Sequence, residues 1–176
     1  EGRSLQEEGE TTVDTTTTTT EGELSPEEDP DDPFKPIRIQ FDTTALDEQL
    51  TSYNELKIAF VKNTILPRMR DFWSSALSVV PVEDNLFVST SELQGRIYCG
   101  DTEFSKVPNE HISDGVPNAD LILYVSGTPS TRFCGPSTLA VAVACNFDQF
   151  DRPTAGAINF CLDQIEVDEY GSASES

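Results

Sequence analysis

The chain has 176 residues, with 32 acidic against 11 basic side chains (net charge −21), 36 % hydrophobic residues and four cysteines; that is one ordinary domain plus a tail. So acidic a chain, with no basic stripe, is repelled by phosphate backbones and by anionic membrane surfaces, so nucleic acid is not expected as a partner. No apolar run reaches the roughly 18 residues of a membrane span, and because Glu1 rather than Met opens the sequence, the lack of a signal peptide carries no information on secretion.

The charge is uneven. Up to Pro33 there are 12 acids against one base, Arg3. This stretch is rich in Thr, Glu, Asp and Pro and poor in apolar residues, so it cannot bury enough surface to offset its ordering entropy, and residues 1–35 are expected to be disordered. Its Thr run could also carry O-linked sugars as a stalk, with a plain solvated linker as the simpler reading. Order is expected over 36–166. Ile37-Arg38-Ile39-Gln40-Phe41 alternates apolar and polar, as a half-buried strand does. From about Tyr53 to Val80 the period becomes helical, with Leu56, Phe60, Met69, Trp73, Ala76, Leu77 and Val80 on one face. Ser52 with Glu55 could form a capping box, and Pro67 inside the pattern is expected to kink or split the helix.

Leu86-Phe87-Val88-Ser89-Thr90 is a short strand candidate. Residues 100–120 are polar and punctuated by Gly and Pro, and read as a long surface loop. Leu121-Ile122-Leu123-Tyr124-Val125 has no polar break, which suits a strand covered on both faces of a mostly parallel sheet. Residues 139–144 and 155–160 are two more strands, and the turn-rich segment between them suggests an antiparallel edge. Residues 167–176 read as a flexible acidic Ser/Gly tail. The fold class is therefore α/β: a mixed twisted sheet of about five strands packed on one long Pro-containing helix.

All four cysteines, Cys99, Cys134, Cys145 and Cys161, fall in one segment. An even, clustered count points to two disulfides and an oxidising compartment; a zinc knuckle would need a C-x2-C pair, which is absent. Catalytic and metal-ligating residues are not found. The one histidine, His111, cannot supply the His pair of a common zinc site and reads as structural or solvated. No serine sits in G-x-S-x-G, no phosphate-binding loop is present, and Asp148, Asp151, Asp163, Glu166, Asp168 and Glu169 lack calcium-loop register and read as a solvated acidic face.

Two stretches carry a resemblance. Cys99-Gly100-Asp101, Val107-Pro108, His111-Ile112, Gly115, Asp120-Leu121 and Tyr124-Val125 form the first. Cys145, then Asp148-Gln149-Phe150-Asp151-Arg152-Pro153, Gly156 and Ile158-Asn159, form the second, and Leu66-Pro67 lies upstream within the helix. Together they resemble the leishmanolysin family of zinc metalloendopeptidases, including its invadolysin-like members, over about residues 36–166. The resemblance implies the N-terminal subdomain of a metzincin-like fold. In it, Leu139, Ala140, Val141, Ala142, Val143 and Ala144 form an edge strand along the substrate cleft, able to pair with an extended peptide. It also implies the pairing Cys99 with Cys145, leaving Cys134 with Cys161. Family members often carry an earlier cysteine pair, and here no cysteine precedes Cys99. The family's active-site helix, with H-E-x-x-H whose histidines bind zinc and whose Glu is the general base, is not in this chain; nor is a third zinc histidine.

The expected function is thus the N-terminal portion of a secreted or cell-surface zinc metalloendopeptidase acting on proteins and peptides. Zinc would be the full-length enzyme's cofactor and none would be bound by this chain, which should be inactive alone; any membrane association would come through regions outside it. The alternative is a non-enzymatic, disulfide-stabilised extracellular binding module with an acidic stalk.

Overall fold

The apolar run that starts at Leu121 forms an inner strand flanked by parallel neighbours on both sides, as the lack of a polar face requires. The computed structural model describes residues 31–168 and 171–173. The disorder expected over 1–35 therefore lies, up to residue 30, outside the described residues, and the chain from Asp32 onward is one unit.

In chain order this unit runs β1 (Lys35–Pro36), β2 (Ile39–Asp42), α1 (Thr44–Asp47), α2 (Glu55–Phe60), a π-helical turn (Val61–Ile65), α3 (Leu66–Ala76), β3 (Ser78–Val79), β4 (Tyr98–Cys99), β5 (Ser105–Lys106), α4 (Asn109–Ser113), β6 (Leu121–Ser126), β7 (Ala140–Phe147), β8 (Pro153–Phe160) and a 3-10 turn (Leu162–Gln164). The main sheet has the order β2-β6-β8-β7. The first three strands are parallel and β7 is antiparallel to β8. Small ribbons β1-β3 and β4-β5 lie outside it.

The sheet has four strands, not about five. Residues 86–90, expected as a strand, do bury Leu86 and Val88 in alternation, but they form only one bridge, Leu86 to Val116, and pack into the core. Helix formation also differs in detail. The capping box does not form, because the helix begins at Glu55, whose N-cap is Asn54, and the Asn54 side chain accepts from the Thr51 amide instead. Pro67 does not split the helix. Its ring and missing N–H would conflict with the carbonyl four residues back; the π turn lies immediately upstream, and helical backbone continues from 55 to 76.

Two cores lie on opposite faces of the sheet, following the period of two along its strands. Ile122, Tyr124, Ala155 and Ala157 face one cluster with Leu86, Val88, Phe104, Val107, Val116 and Ala119. Val125, Ile158 and Phe160 face the other, with Leu46, Ile58, Val61 and Leu66 from the helical layer. The long surface loop expected over 100–120 is exposed at its polar residues but also lays Phe104, Val107, Val116 and Ala119 into the core, and a short helix crosses it. Its polar residues serve turns and hydrogen bonds, while its few apolar ones, too irregularly spaced to show a period, all point at the sheet. Beyond the last strand, Val167 bridges Ala173, and the Gly171 amide donates to the Asp168 carbonyl at 3.0 Å.

Candidate functional site

β7 is the open edge of the sheet. It begins at Ala140, so Leu139 lies just outside it, and it continues to Phe147, three residues beyond the expected end. The extension has a local cause. Asn146, expected in the turn, is buried; it accepts from the Thr154 hydroxyl at 3.3 Å and donates to the Ser89 carbonyl at 3.4 Å, and a register shift beside it accommodates the extra residue.

The polarity of this edge follows from one bond. The Cys161 amide donates to the Leu139 carbonyl at 2.9 Å, so Leu139 faces β8. In an antiparallel pair, alternate residues face the partner; Val141 and Val143, opposite Asn159 and Ala157, therefore also face β8. The N–H and C=O groups of Ala140, Ala142 and Ala144 point the other way, and none of these groups has a partner among the described residues. Their methyl side chains are exposed on the sheet face that carries the helical layer. The result is a free hydrogen-bonding edge beside a shallow alanine strip. Opposite, Gly100 lies over Val143. It has φ +79°, and a β-carbon there would collide with Val143 Cγ1, so glycine is needed both for the turn and for the close approach.

Two disulfides hold this edge. Cys99–Cys145 ties β4 to β7 and Cys134–Cys161 ties the preceding loop to the end of β8, with Cα–Cα distances of 5.2 and 5.4 Å. The hairpin between β7 and β8 is closed by Asp148. Its carboxylate accepts from the Phe150 amide at 2.8 Å, the Arg152 amide at 3.0 Å and Arg152 Nε at 2.8 Å, while Asp151 takes a left-handed φ of +59°. Burial pushes the Asp148 carboxyl up, but these donors and the Arg152 charge outweigh it, and the net shift is below the usual carboxylate range.

Three polar groups support the frame: Asp120 and Asn159, which the sequence offered only within the resembling stretches, and His111, read above as structural or solvated. Asp120, fully buried, accepts from the Arg38 amide, Arg38 Nε, Arg38 Nη2 and the Val82 amide at 2.7 to 2.9 Å, so it joins β2, the segment after β3 and the start of β6. Desolvation raises its carboxyl and the Arg38 and backbone donors lower it by more, leaving it below the ordinary value. Asn159, also fully buried, accepts from the Ser126 hydroxyl and the Thr128 amide, both at 2.8 Å, and returns a bond to the Thr128 carbonyl, which fixes the loop after β6. His111 Nδ1 lies 3.0 Å from the hydroxyl of Tyr124, whose pKa is raised first by burial and then by the Asp42 charge. The one visible signal was a polar residue interrupting an apolar run, as in Ile158-Asn159-Phe160.

None of this supplies a nucleophile with a base. The acidic residues considered above stay apart as a site: among the described residues no three His, Cys, Asp or Glu side chains gather closely enough to hold a metal ion. Zinc therefore does not fit the described residues, since the single histidine has no cluster of further ligands around it and every cysteine is in a disulfide. The edge can do one thing chemically, which is to bind extended main chain.

Comparison with known proteins gives a consistent picture. A family model described as leishmanolysin matches residues 40–172. A leishmanolysin-like peptidase of Caenorhabditis briggsae is 28 % identical over 183 aligned residues, covering 81 % of this chain and 27 % of the relative. A leishmanolysin homolog of Crithidia fasciculata is 32 % identical over 103 residues (58 % of this chain, 14 % of the relative), and a ciliated left-right organizer metallopeptidase of Xenopus laevis is 42 % identical over 73 (39 % and 10 %). The chain spans about a quarter of the length of the leishmanolysin-like relatives it matches most fully.

Proposed function

The chain belongs to the leishmanolysin family of metallopeptidases, and from that premise we propose that it forms the N-terminal, substrate-aligning part of a secreted or cell-surface zinc endopeptidase. The observation that carries this reading is the free edge at Ala140, Ala142 and Ala144. An extended substrate pairs with it through main-chain bonds, which are indifferent to side chains and so suit broad specificity. The small side chains on one face leave room for the substrate's own. Cys99–Cys145, the Asp148 hairpin and Gly100 hold the edge in place, so the substrate meets a preformed strand. The two disulfides suit an oxidising, extracellular setting.

Among the described residues no group of side chains gathers to hold zinc, and on this reading the chain by itself aligns substrate without cleaving it. Expression of the chain together with whatever its gene encodes after Ser176 tests the proposal. A His-Glu-x-x-His segment and chelator-sensitive peptide hydrolysis are expected. Hydrolysis by the 176-residue chain alone, stoichiometric zinc on it, or a stop codon after Ser176 with no further exon contradicts the reading.

A further inference from the structure

A second surface lies at the other end of β7. Between the β1-β3 ribbon and the β7-β8 hairpin runs an open groove of about 1030 Å³. Phe34, Val80, Phe87, Phe147 and Phe150 line it, Phe150 exposed by 80 % and the others by 44 to 53 %. Four of the chain's ten phenylalanines thus lie open to water on one groove. Single exposed apolar residues are ordinary, whereas a cluster of large ones in a concavity marks a contact surface. The groove is preformed, because Arg152 Nη1 donates to the Val80 carbonyl at 2.9 Å and so ties one wall to the other.

Its charge selects the occupant. Arg152 is paired with Asp148, which leaves Glu83 and Asp84 as the unbalanced charges of the lining; both are exposed and neither forms an ion pair among the described residues. Lys35 follows Phe34 on β1 but does not line the groove. A second copy of the chain would bring these carboxylates against their own counterparts in a symmetric contact, on a molecule of net charge −21. An anionic membrane is disfavoured for the same reason.

We propose that this groove is a docking site for a protein segment that alternates aromatic or large aliphatic side chains with Lys or Arg. The rings bury between the four phenylalanines and the cations meet Glu83 and Asp84. The surface is separate from the free edge at 140–144 and would serve partner or substrate recruitment away from it.

The test is fluorescence anisotropy of the purified chain with three labelled peptides: alternating Lys-Phe, alternating Glu-Phe and alternating Lys-Ser. Lys-Phe is expected to bind and the other two not. Phe87→Ser and Phe150→Ser, which keep every charge, are expected to weaken Lys-Phe binding at least about tenfold. Glu83→Gln with Asp84→Asn weakens it about threefold, and Glu83→Lys with Asp84→Lys shifts the preference to Glu-Phe. Equal binding of Lys-Phe and Lys-Ser, or binding untouched by the two Phe variants, overturns the proposal. So does a concentration-dependent dimer that Phe150→Ser abolishes without any peptide binding, which would make the groove a self-contact.

Discussion

Replacing Asp120 by Ala should be among the most damaging single changes outside the hydrophobic clusters. The carboxylate is fully buried and accepts four hydrogen bonds, two from the Arg38 side chain and two from the Arg38 and Val82 amides. Its removal leaves two backbone donors and a guanidinium without their acceptor. Removing one partner of a buried pair costs about 3–5 kcal/mol; the Arg38 side chain is 31 % exposed and can rehydrate in part, so the low end, about 3 kcal/mol, applies. For a domain of this size that lowers Tm by roughly 10 °C. Thermal and urea denaturation of the wild type, Asp120→Ala, Arg38→Met and the double variant measure it. The double variant should cost less than the sum of the singles by at least about 1 kcal/mol. The pH dependence has a definite sign. The folded carboxyl titrates below its unfolded value of about 3.9, so its contribution is complete above that pH and is lost as pH falls through the folded pKa. The gap between wild type and Asp120→Asn should therefore close below about pH 4. An Asp120→Ala variant within about 0.5 kcal/mol of wild type would refute the reasoning.

Other consequences follow from the same frame. Reducing Cys99–Cys145 and Cys134–Cys161, which close separations of 46 and 27 residues, should cost at most about 4 and about 3.5 kcal/mol in the chain-entropy account, measured by urea unfolding with and without reductant; a non-reducing peptide map showing other pairs contradicts the assignment. Gly100→Ala should destabilise by about 1–3 kcal/mol through its positive φ and the collision with Val143, and Val143→Ala should recover part of that in the double variant. Proline separates the two sides of β7. Ala142→Pro removes an outward N–H and should leave the fold intact by circular dichroism while weakening extended-peptide binding, whereas Val143→Pro removes a ladder bond to β8 and should unfold the sheet. Equal effects of the two prolines would mean that the edge is oriented otherwise.

Much of this was legible in the residues. Burial on both faces writes a continuous apolar run, so 121–125 announced an inner parallel strand, and the turn chemistry of Asp148-Gln149-Phe150-Asp151-Arg152-Pro153 announced the hairpin that makes β7 an edge. The layer over 100–120 was not legible, because Phe104, Val107, Val116 and Ala119 are held by turns and a disulfide and share no period. Leu86 and Val88 had the right alternation, but their main-chain partners are Val116 and the α4 residue His111 rather than a strand. Asp120 and Asn159 look like ordinary polar breaks in the sequence. Their meaning lies in Arg38, Val82, Ser126 and Thr128, and most of these are far away along the chain.

The central claim is that β7 offers its outward groups to an extended substrate. Residue-resolved amide hydrogen exchange, with and without an excess of an extended peptide, tests it most directly. In the free chain the amides of Ala140, Ala142 and Ala144 should exchange fast while those of Val141 and Val143 are protected, and the peptide should slow the first three and leave the other two unchanged. Protection of Ala142 before peptide is added, or a bound peptide that leaves Ala140, Ala142 and Ala144 exchanging as before, would contradict it.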